Sequence, residues 1–189
     1  MRMNDVSFSI ATPTRNSLDR LRRCVGSVRG QRGVTLEHLV HDARSEDGTP
    51  AWLAAQAGLL GISEADGGMY DAINRAWARS TGKFLSWLNS DEQYLLGTLA
   101  KVEAFFDAHP DVDVVFGNYI VADAQGRPVA LRREIPFRRI TQSTAFFIRS
   151  PARCFIAAAC TTKGCFSSTV SSAMRPTRTY CYDCPPRAP

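Results

Sequence analysis

The sequence predicts an α/β fold, a mostly parallel sheet with helices on both faces. Three observations carry that prediction. Short apolar, β-branched runs alternate with segments of helical spacing through residue 110, the pattern of strand–helix–strand units. Polar loops bearing an aspartate follow several of the strands, at the edge where open α/β sheets place their ligands. The chain of 189 residues is long enough for one domain with a real core.

Val6 to Thr12 is the first strand, ended by Pro13. Thr14-Arg15-Asn16 is a loop and Ser17 a candidate N-cap. Leu18, Leu21, Val25 and Val28 share one helical face, and Gly30 and Gly33 stop that helix. Val34 to His41 is the second strand and runs into the polar loop Asp42–Thr49, before a helix near Pro50 to Gln56. A third strand over Leu59 to Ser63 leads to a helix whose buried face is Tyr70, Ile73 and Trp77. Lys83 to Leu88 is the fourth strand. Leu95, Leu99, Val102 and Phe106 form the face of the next helix, closed by His109-Pro110. Val112 to Ala122 reads as one long strand, with Arg127 to Leu131 returning across the turn at Asp123–Gly126. After about Phe147 no helical face or strand pattern can be built, and the segment is expected to be poorly ordered.

Charge and cysteine sort by position. Residues 151–189 hold five basic groups against Asp183 alone, +4 of the total +5, so the body is nearly neutral and nucleic-acid binding is not expected. Only Cys24 lies in the body. Cys160, Cys165, Cys181 and Cys184 could form a zinc quartet on paper, but the first pair is spaced too widely for a ribbon. No apolar run approaches the ~20 residues of a membrane span. The polar N-terminus lacks a secretion-signal core, which sets the expected compartment as the cytoplasm.

The acidic residues carry the chemistry. Asp91 and Glu92 follow the fourth strand in Asn89-Ser90-Asp91-Glu92. Adjacent carboxylates there can hold a hard divalent cation, or can be the first turn of a helix capped by Asn89 or Ser90. Asp42 can accept hydrogen bonds from a base or ribose, or serve as a turn aspartate. Asp66 with Gly67-Gly68 is likewise a turn or a ligand loop. Thr12-Pro13-Thr14-Arg15 can wrap a base and place a cation near phosphate. The three histidines show no metal spacing, and Cys24 reads as structural. Arg132-Arg133 can meet phosphates or be a solvated surface pair.

The order PTRN, HDARSEDGT, SEADGGMYDAINRA, TGKFLSWLNSDE, over residues 6 to about 133, resembles family 2 glycosyltransferases of the GT-A fold. In those, the last three blocks usually read like DGSSDGT, SEPDxGxYDAxNKG and TGxxxxxLNSDD. The resemblance implies a GT-A domain over residues 1–150 and an irregular tail over 151–189. It implies transfer of a sugar from a nucleotide-diphospho-sugar, of UDP or dTDP type, to an acceptor hydroxyl on a glycan, lipid or protein. Transfer would be metal-assisted and inverting. Thr12, Pro13, Thr14 and Arg15 would line base and ribose, with Asp42 contacting one of them. Asp66 would sit against the nucleotide or donor sugar, and Asn74 would hold its helix in register. Asp91 and Glu92 would bind manganese or magnesium. Polysaccharide biosynthesis and a peripheral contact with the inner face of the membrane fit the same resemblance.

Three departures accompany it. Glu92 stands where aspartate is common. His41-Asp42-Ala43-Arg44 replaces a glycine-rich stretch. Gln142 to Arg149, QSTAFFIR, begins the segment that leads relatives into an acceptor-binding half with its catalytic base, and the pattern then dissolves. The tail is therefore expected to be a truncated or frame-shifted ending. The alternative function is a nucleotide-binding remnant without turnover, and a catalytic base is not identified.

Overall fold

A computed structural model describes residues 6–133, 154–157 and 179–181. The first strand, β1 (Phe8–Thr14), is buried along its whole length because helices cover both of its faces. It pairs in parallel with β2 (Leu36–Asp42) and β4 (Phe84–Trp87), and β2 pairs in parallel with β3 (Leu60–Ser63). Two short strands, β5 (Val114–Phe116) and β8 (Cys154–Ala157), extend the sheet beyond β4, with β9 (Thr179–Cys181) outermost. The order is β3-β2-β1-β4-β8-β5-β9, and only β8 runs against its neighbours. A separate hairpin pairs β6 (Tyr119–Ala122) with β7 (Pro128–Arg132).

Helix α1 (Leu18–Arg29) buries Leu21, Cys24, Val25 and Val28, the spacing of one helical face. It lies on one face of the sheet with α4 (Thr98–Ala108), whose Leu99, Val102, Phe105 and Phe106 join Phe8, Ile10, Phe84 and Phe155 in the main core. Phe84 stacks on Phe106 at 4.4 Å between ring centroids, and Phe8 meets Phe155 edge-on at 6.2 Å. Each such ring adds about 0.5–1.5 kcal/mol beyond the area it buries. Helix α2 (Thr49–Ala54) sets Leu53 against Leu21, Val25 and Val40. Helix α3 (Met69–Trp77) covers the opposite face, where Ile73 and Ala76 meet Ala11, Leu39 and Trp87.

Several expected elements are corrected. The long strand over 112–122 is two strands in different sheets, broken at Gly117-Asn118. Tyr70 is exposed and Trp77 half-buried, so Ile73 with Ala72 and Ala76 makes the helix contact. Leu95 is exposed, since α4 begins only at Thr98. Ser17 stands at the N-cap position without a capping hydrogen bond. No element was expected after Phe147. Yet Cys154–Ala157 inserts between β4 and β5, with Phe155 buried. Gln142–Arg149, Cys160, Cys165 and Cys184 lie outside the described residues.

Candidate functional site

Sheet register brings the candidate loops to one edge. Thr14, Asp42 and Ser63 stand level at the carboxyl ends of β1, β2 and β3. Leu88, just past β4, donates its backbone N–H to Ala11 O at 2.9 Å, so Asn89–Glu92 emerge beside the loop after β1. The strand order reverses between β1 and β4, the switch point where such sheets open a crevice.

The loop after β2 is organised around Asp42, which is fully buried. Its Oδ2 accepts the Ser63 hydroxyl at 2.6 Å and the Ser45 N–H at 3.1 Å, and its Oδ1 accepts the Ser45 hydroxyl. Ser45 Oγ in turn accepts the Asn16 N–H at 2.7 Å, and Asn16 Oδ1 accepts the Glu46 N–H at 2.9 Å. Asp42 thus ties the loop after β2 to the end of β3 through its own hydrogen bonds, and Ser45 extends the link to the loop after β1. Arg44 keeps φ at +52°, a left-handed conformation that favours glycine, at the point where arginine replaces the glycine-rich stretch. Asp47 accepts from the Thr49 hydroxyl at 2.6 Å and the Leu18 N–H at 2.9 Å. These two bonds hold its carboxyl below the usual range.

Of the first candidate block, Thr12 and Pro13 are interior, Thr14 is nearly so, and Arg15 is exposed on the loop. Thr12 Oγ1 lies 2.8 Å from His38 Nε2 and 3.8 Å from Cys24 Sγ, beneath the crevice. Burial pushes the Cys24 thiol up to about 12, helped by the charges of Glu92 and Asp91. That is a structural, unreactive cysteine.

Asp66 ends the loop after β3. Its Oδ1 accepts the Gly68 N–H at 2.9 Å, and its Oδ2 stands 3.5 Å from His41 Nε2. Gly68 has φ +113°, which an L side chain adopts only with strain, and it delivers the chain directly into α3. Asp71 accepts the Gly67 N–H at 2.8 Å and pairs with Arg75 at 2.9 Å, and both lower its carboxyl. Arg75 also reaches Glu64 at 3.2 Å and lowers that carboxyl.

Asn89–Glu92 fold as a tight turn. The Glu92 N–H donates to Asn89 O at 2.9 Å, and the Asn89 N–H donates to Glu92 Oε2 at 3.1 Å. Because α4 starts at Thr98, Asp91 and Glu92 are not the first turn of a helix. Asp91 is exposed, while Asn89 Oδ1 is buried without a hydrogen-bond partner. Two carboxylates and an unpaired amide oxygen within four residues fit a hard divalent cation. Among the described residues no three His, Cys, Asp or Glu side chains form a preformed metal cluster. The remaining ligands of such a cation would come from substrate phosphate and water.

The sequence reading missed Ser45 and Ser63 and gave Ser17 and Ser90 only as candidate helix caps, whereas the hydroxyls of all four knit these loops. Serine is common in turns, so no single-residue signal separated them from solvated loop positions. Gly82 was also missed: its N–H donates to Ser9 Oγ at 2.8 Å and its Cα lies against the Phe8–Ser9 backbone.

The family model for Glycosyl transferase family 2 matches residues 9–166. A PGL/p-HBAD biosynthesis glycosyltransferase of Mycobacterium tuberculosis is 32% identical over 151 residues, covering 75% of this chain and 59% of the relative. The succinoglycan biosynthesis protein ExoO of Rhizobium meliloti is 29% identical over 144 residues, covering 74% and 40%. Among solved structures, S. aureus TarS 1-349 superposes with TM-score 0.69 at 22% identity, covering 94% of this chain and 58% of that one. The mannosyltransferase PcManGT from Pyrobaculum calidifontis, in complex with GDP-Man and Mn2+, gives TM-score 0.53 at 23% identity, over 65% and 37%. The likeness to both structures is one of fold. The chain spans about three fifths of the length of the first of these relatives.

Proposed function

The chain belongs to glycosyl transferase family 2, and from that membership we propose that it binds a nucleotide-diphospho-sugar, of UDP or dTDP type, along the carboxyl edge of β1–β4 and takes part in transferring the sugar to an acceptor hydroxyl. The observation that carries this reading is the convergence at that edge. Thr14, Asp42 and Ser63 are level in register, and Asp91 emerges beside them. S. aureus TarS has been solved in complex with UDP-GlcNAc and with UDP, which supports the nucleotide class.

In this proposal Thr14, Arg15 and the Asp42-centred loop border the nucleotide, with Arg15 free to meet phosphate. Asp66 approaches base or ribose across the glycines that leave its loop open. Asp91 is the principal carboxylate for manganese or magnesium. Glu92 closes the turn with one oxygen and supports the same position. A divalent cation held there by Asp91 and Glu92 would supply charge neutralisation for the departing diphosphate. Displacement by the acceptor oxygen in one step would invert the anomeric carbon, with the hydroxyl proton passing to a general base.

Polysaccharide or lipid glycosylation at the inner face of the membrane is the setting we propose; the relatives of PGL/p-HBAD and succinoglycan biosynthesis support a biosynthetic glycosylation role. No described helix is long and apolar enough to cross a membrane. Calorimetry with UDP and manganese tests the donor site. Binding that Asp91→Ala weakens is expected, and equal binding by both proteins would sink the proposal. Binding without sugar hydrolysis or transfer across an acceptor panel would instead favour the nucleotide-binding remnant.

A further inference from the structure

Resting on the donor-site reading above, we propose that His41 is a positioning residue that fixes the Asp66 carboxylate from behind, so that this acid meets the nucleotide in one orientation. Strand alternation creates the arrangement. Along β2, His38, Val40 and Asp42 point to the α1 face, where His38 bonds Thr12. Leu39 and His41 point to the α3 face, where Leu39 meets Ile73. His41, the last residue but one of β2, therefore lies beneath the loop that carries Asp66.

The His41 side chain is 1% exposed and that of Asp66 8% exposed. Both ring nitrogens of His41 lack a hydrogen bond. Buried polar groups are almost always paired, so an imidazole with two open nitrogens at a candidate ligand edge calls for a role beyond packing. Its Nε2 stands 3.5 Å from Asp66 Oδ2, long for a hydrogen bond, as contacts in unliganded sites commonly are.

The charged groups that face His41 are Asp66 from the loop and Asp71 from α3. Asp71 is already occupied by the Gly67 N–H and Arg75, and Arg75 also serves Glu64. Among the described residues no arginine or lysine reaches Asp66. Gly68 N–H fixes one oxygen of Asp66 and His41 faces the other. Together they hold the carboxylate plane and leave its outer edge for a ligand N–H or O–H.

The test is a double-mutant cycle in UDP–manganese affinity with His41→Val, His41→Gln, Asp66→Asn and the Val/Asn double variant. A parallel measurement takes the ring 15N shifts of His41. If His41 acts through Asp66, His41→Val weakens UDP binding about tenfold, within the range of coupled neighbours. His41→Gln, which keeps a side-chain N–H, recovers most of the loss. The double variant binds no worse than Asp66→Asn. The ring shifts report the proton on Nε2 in wild type and change in Asp66→Asn. Independent, multiplying losses, or wild-type affinity in His41→Val, overturn the positioning role while leaving the donor site intact. Absence of UDP binding in the wild type overturns the donor reading. In that case ring shifts identical in wild type and Asp66→Asn also overturn the His41–Asp66 pairing, whereas shifts that differ preserve the pairing alone.

Discussion

Ser17 Oγ lies 2.9 Å from Ser90 Oγ, a hydrogen bond across 73 residues of sequence that ties the loop after β1 to the turn carrying Asp91. Ser17 also lies 3.2 Å from Thr14 Oγ1. One row of hydroxyls thus holds the two loops at their separation. The Ser90→Ala variant loses one part-buried neutral bond, about 1 kcal/mol. The Ser17→Ala, Ser90→Ala double variant should lose no more than Ser17→Ala alone, because both changes remove the same bond. Urea midpoints of the three variants check this, and losses that simply add would show that the two serines act separately.

Gly82 stands two residues before β4, where no side chain fits. A Cβ there would stand 2.5 Å from Ser9 Oγ, 2.7 Å from Ser9 N and 2.8 Å from Phe8 C. Backbone atoms cannot swing aside as a side-chain tip can, so β1 and β4 would have to separate. Gly82→Ala is expected to cost about 3 kcal/mol, the upper end for overpacking. A denaturant midpoint within error of wild type would refute this packing account.

The parallel core of this fold was legible because its signals are local and periodic. Val6–Thr12, Lys83–Leu88 and the Leu21, Val25, Val28 face each lie within a residue or two of the observed element. The convergence of the loops that carry Asp42, Asp66 and Asp91 on one edge followed from the alternation of strands with helices. What failed depended on tertiary context. Tyr70 keeps the helical spacing of Ile73 and Trp77, but it sits at the first turn of α3 and stays exposed. Val112–Ala122 is apolar apart from Asp113 and the Gly117-Asn118 pair, and that pair, read through as part of one strand, is where the chain passes between two sheets. Cys154–Ala157 is too short to register as a strand until β4 and β5 present their open edges to it. Asp42 was legible as a strand-end acid. Of its three hydrogen bonds, two come from Ser45 in the same loop, and the third, from Ser63, depends on β3 pairing with β2.

Asp91 and Glu92 should separate under neutralisation. Asp91 is exposed, whereas Glu92 Oε2 accepts the Asn89 N–H at 3.1 Å. Asp91→Asn removes a charge without disturbing the turn, and is expected to weaken manganese-dependent UDP binding at least about tenfold, ~1.4 kcal/mol. Glu92→Gln retains an acceptor for Asn89 and should weaken it less. Manganese titrations of UDP affinity in the two variants read the difference. A larger loss in Glu92→Gln would reverse the assignment of the principal carboxylate.

His38 makes the fold sensitive to mild acid. Burial, with a smaller contribution from the Arg29 charge, lowers its pKa from 6.5 to about 3, while Nε2 stays 2.8 Å from Thr12 Oγ1. Between those values the unfolded chain binds a proton that the folded chain refuses. The unfolded state then holds more protons, so stability rises with pH across this window and falls as pH drops from about 6.5 toward 3. The limiting slope is about 1.4 kcal/mol per pH unit. The lowered carboxyls of Asp47, Glu64, Asp71 and Asp123 act in the same direction. Their share appears only near and below the ordinary carboxylate value of about 4. Melting temperature measured from pH 7 to pH 4.5 should therefore decline in wild type. It should decline clearly less in His38→Gln, whose amide can still meet Thr12 but does not titrate. Parallel declines in the two proteins would show that His38 is not the group responsible.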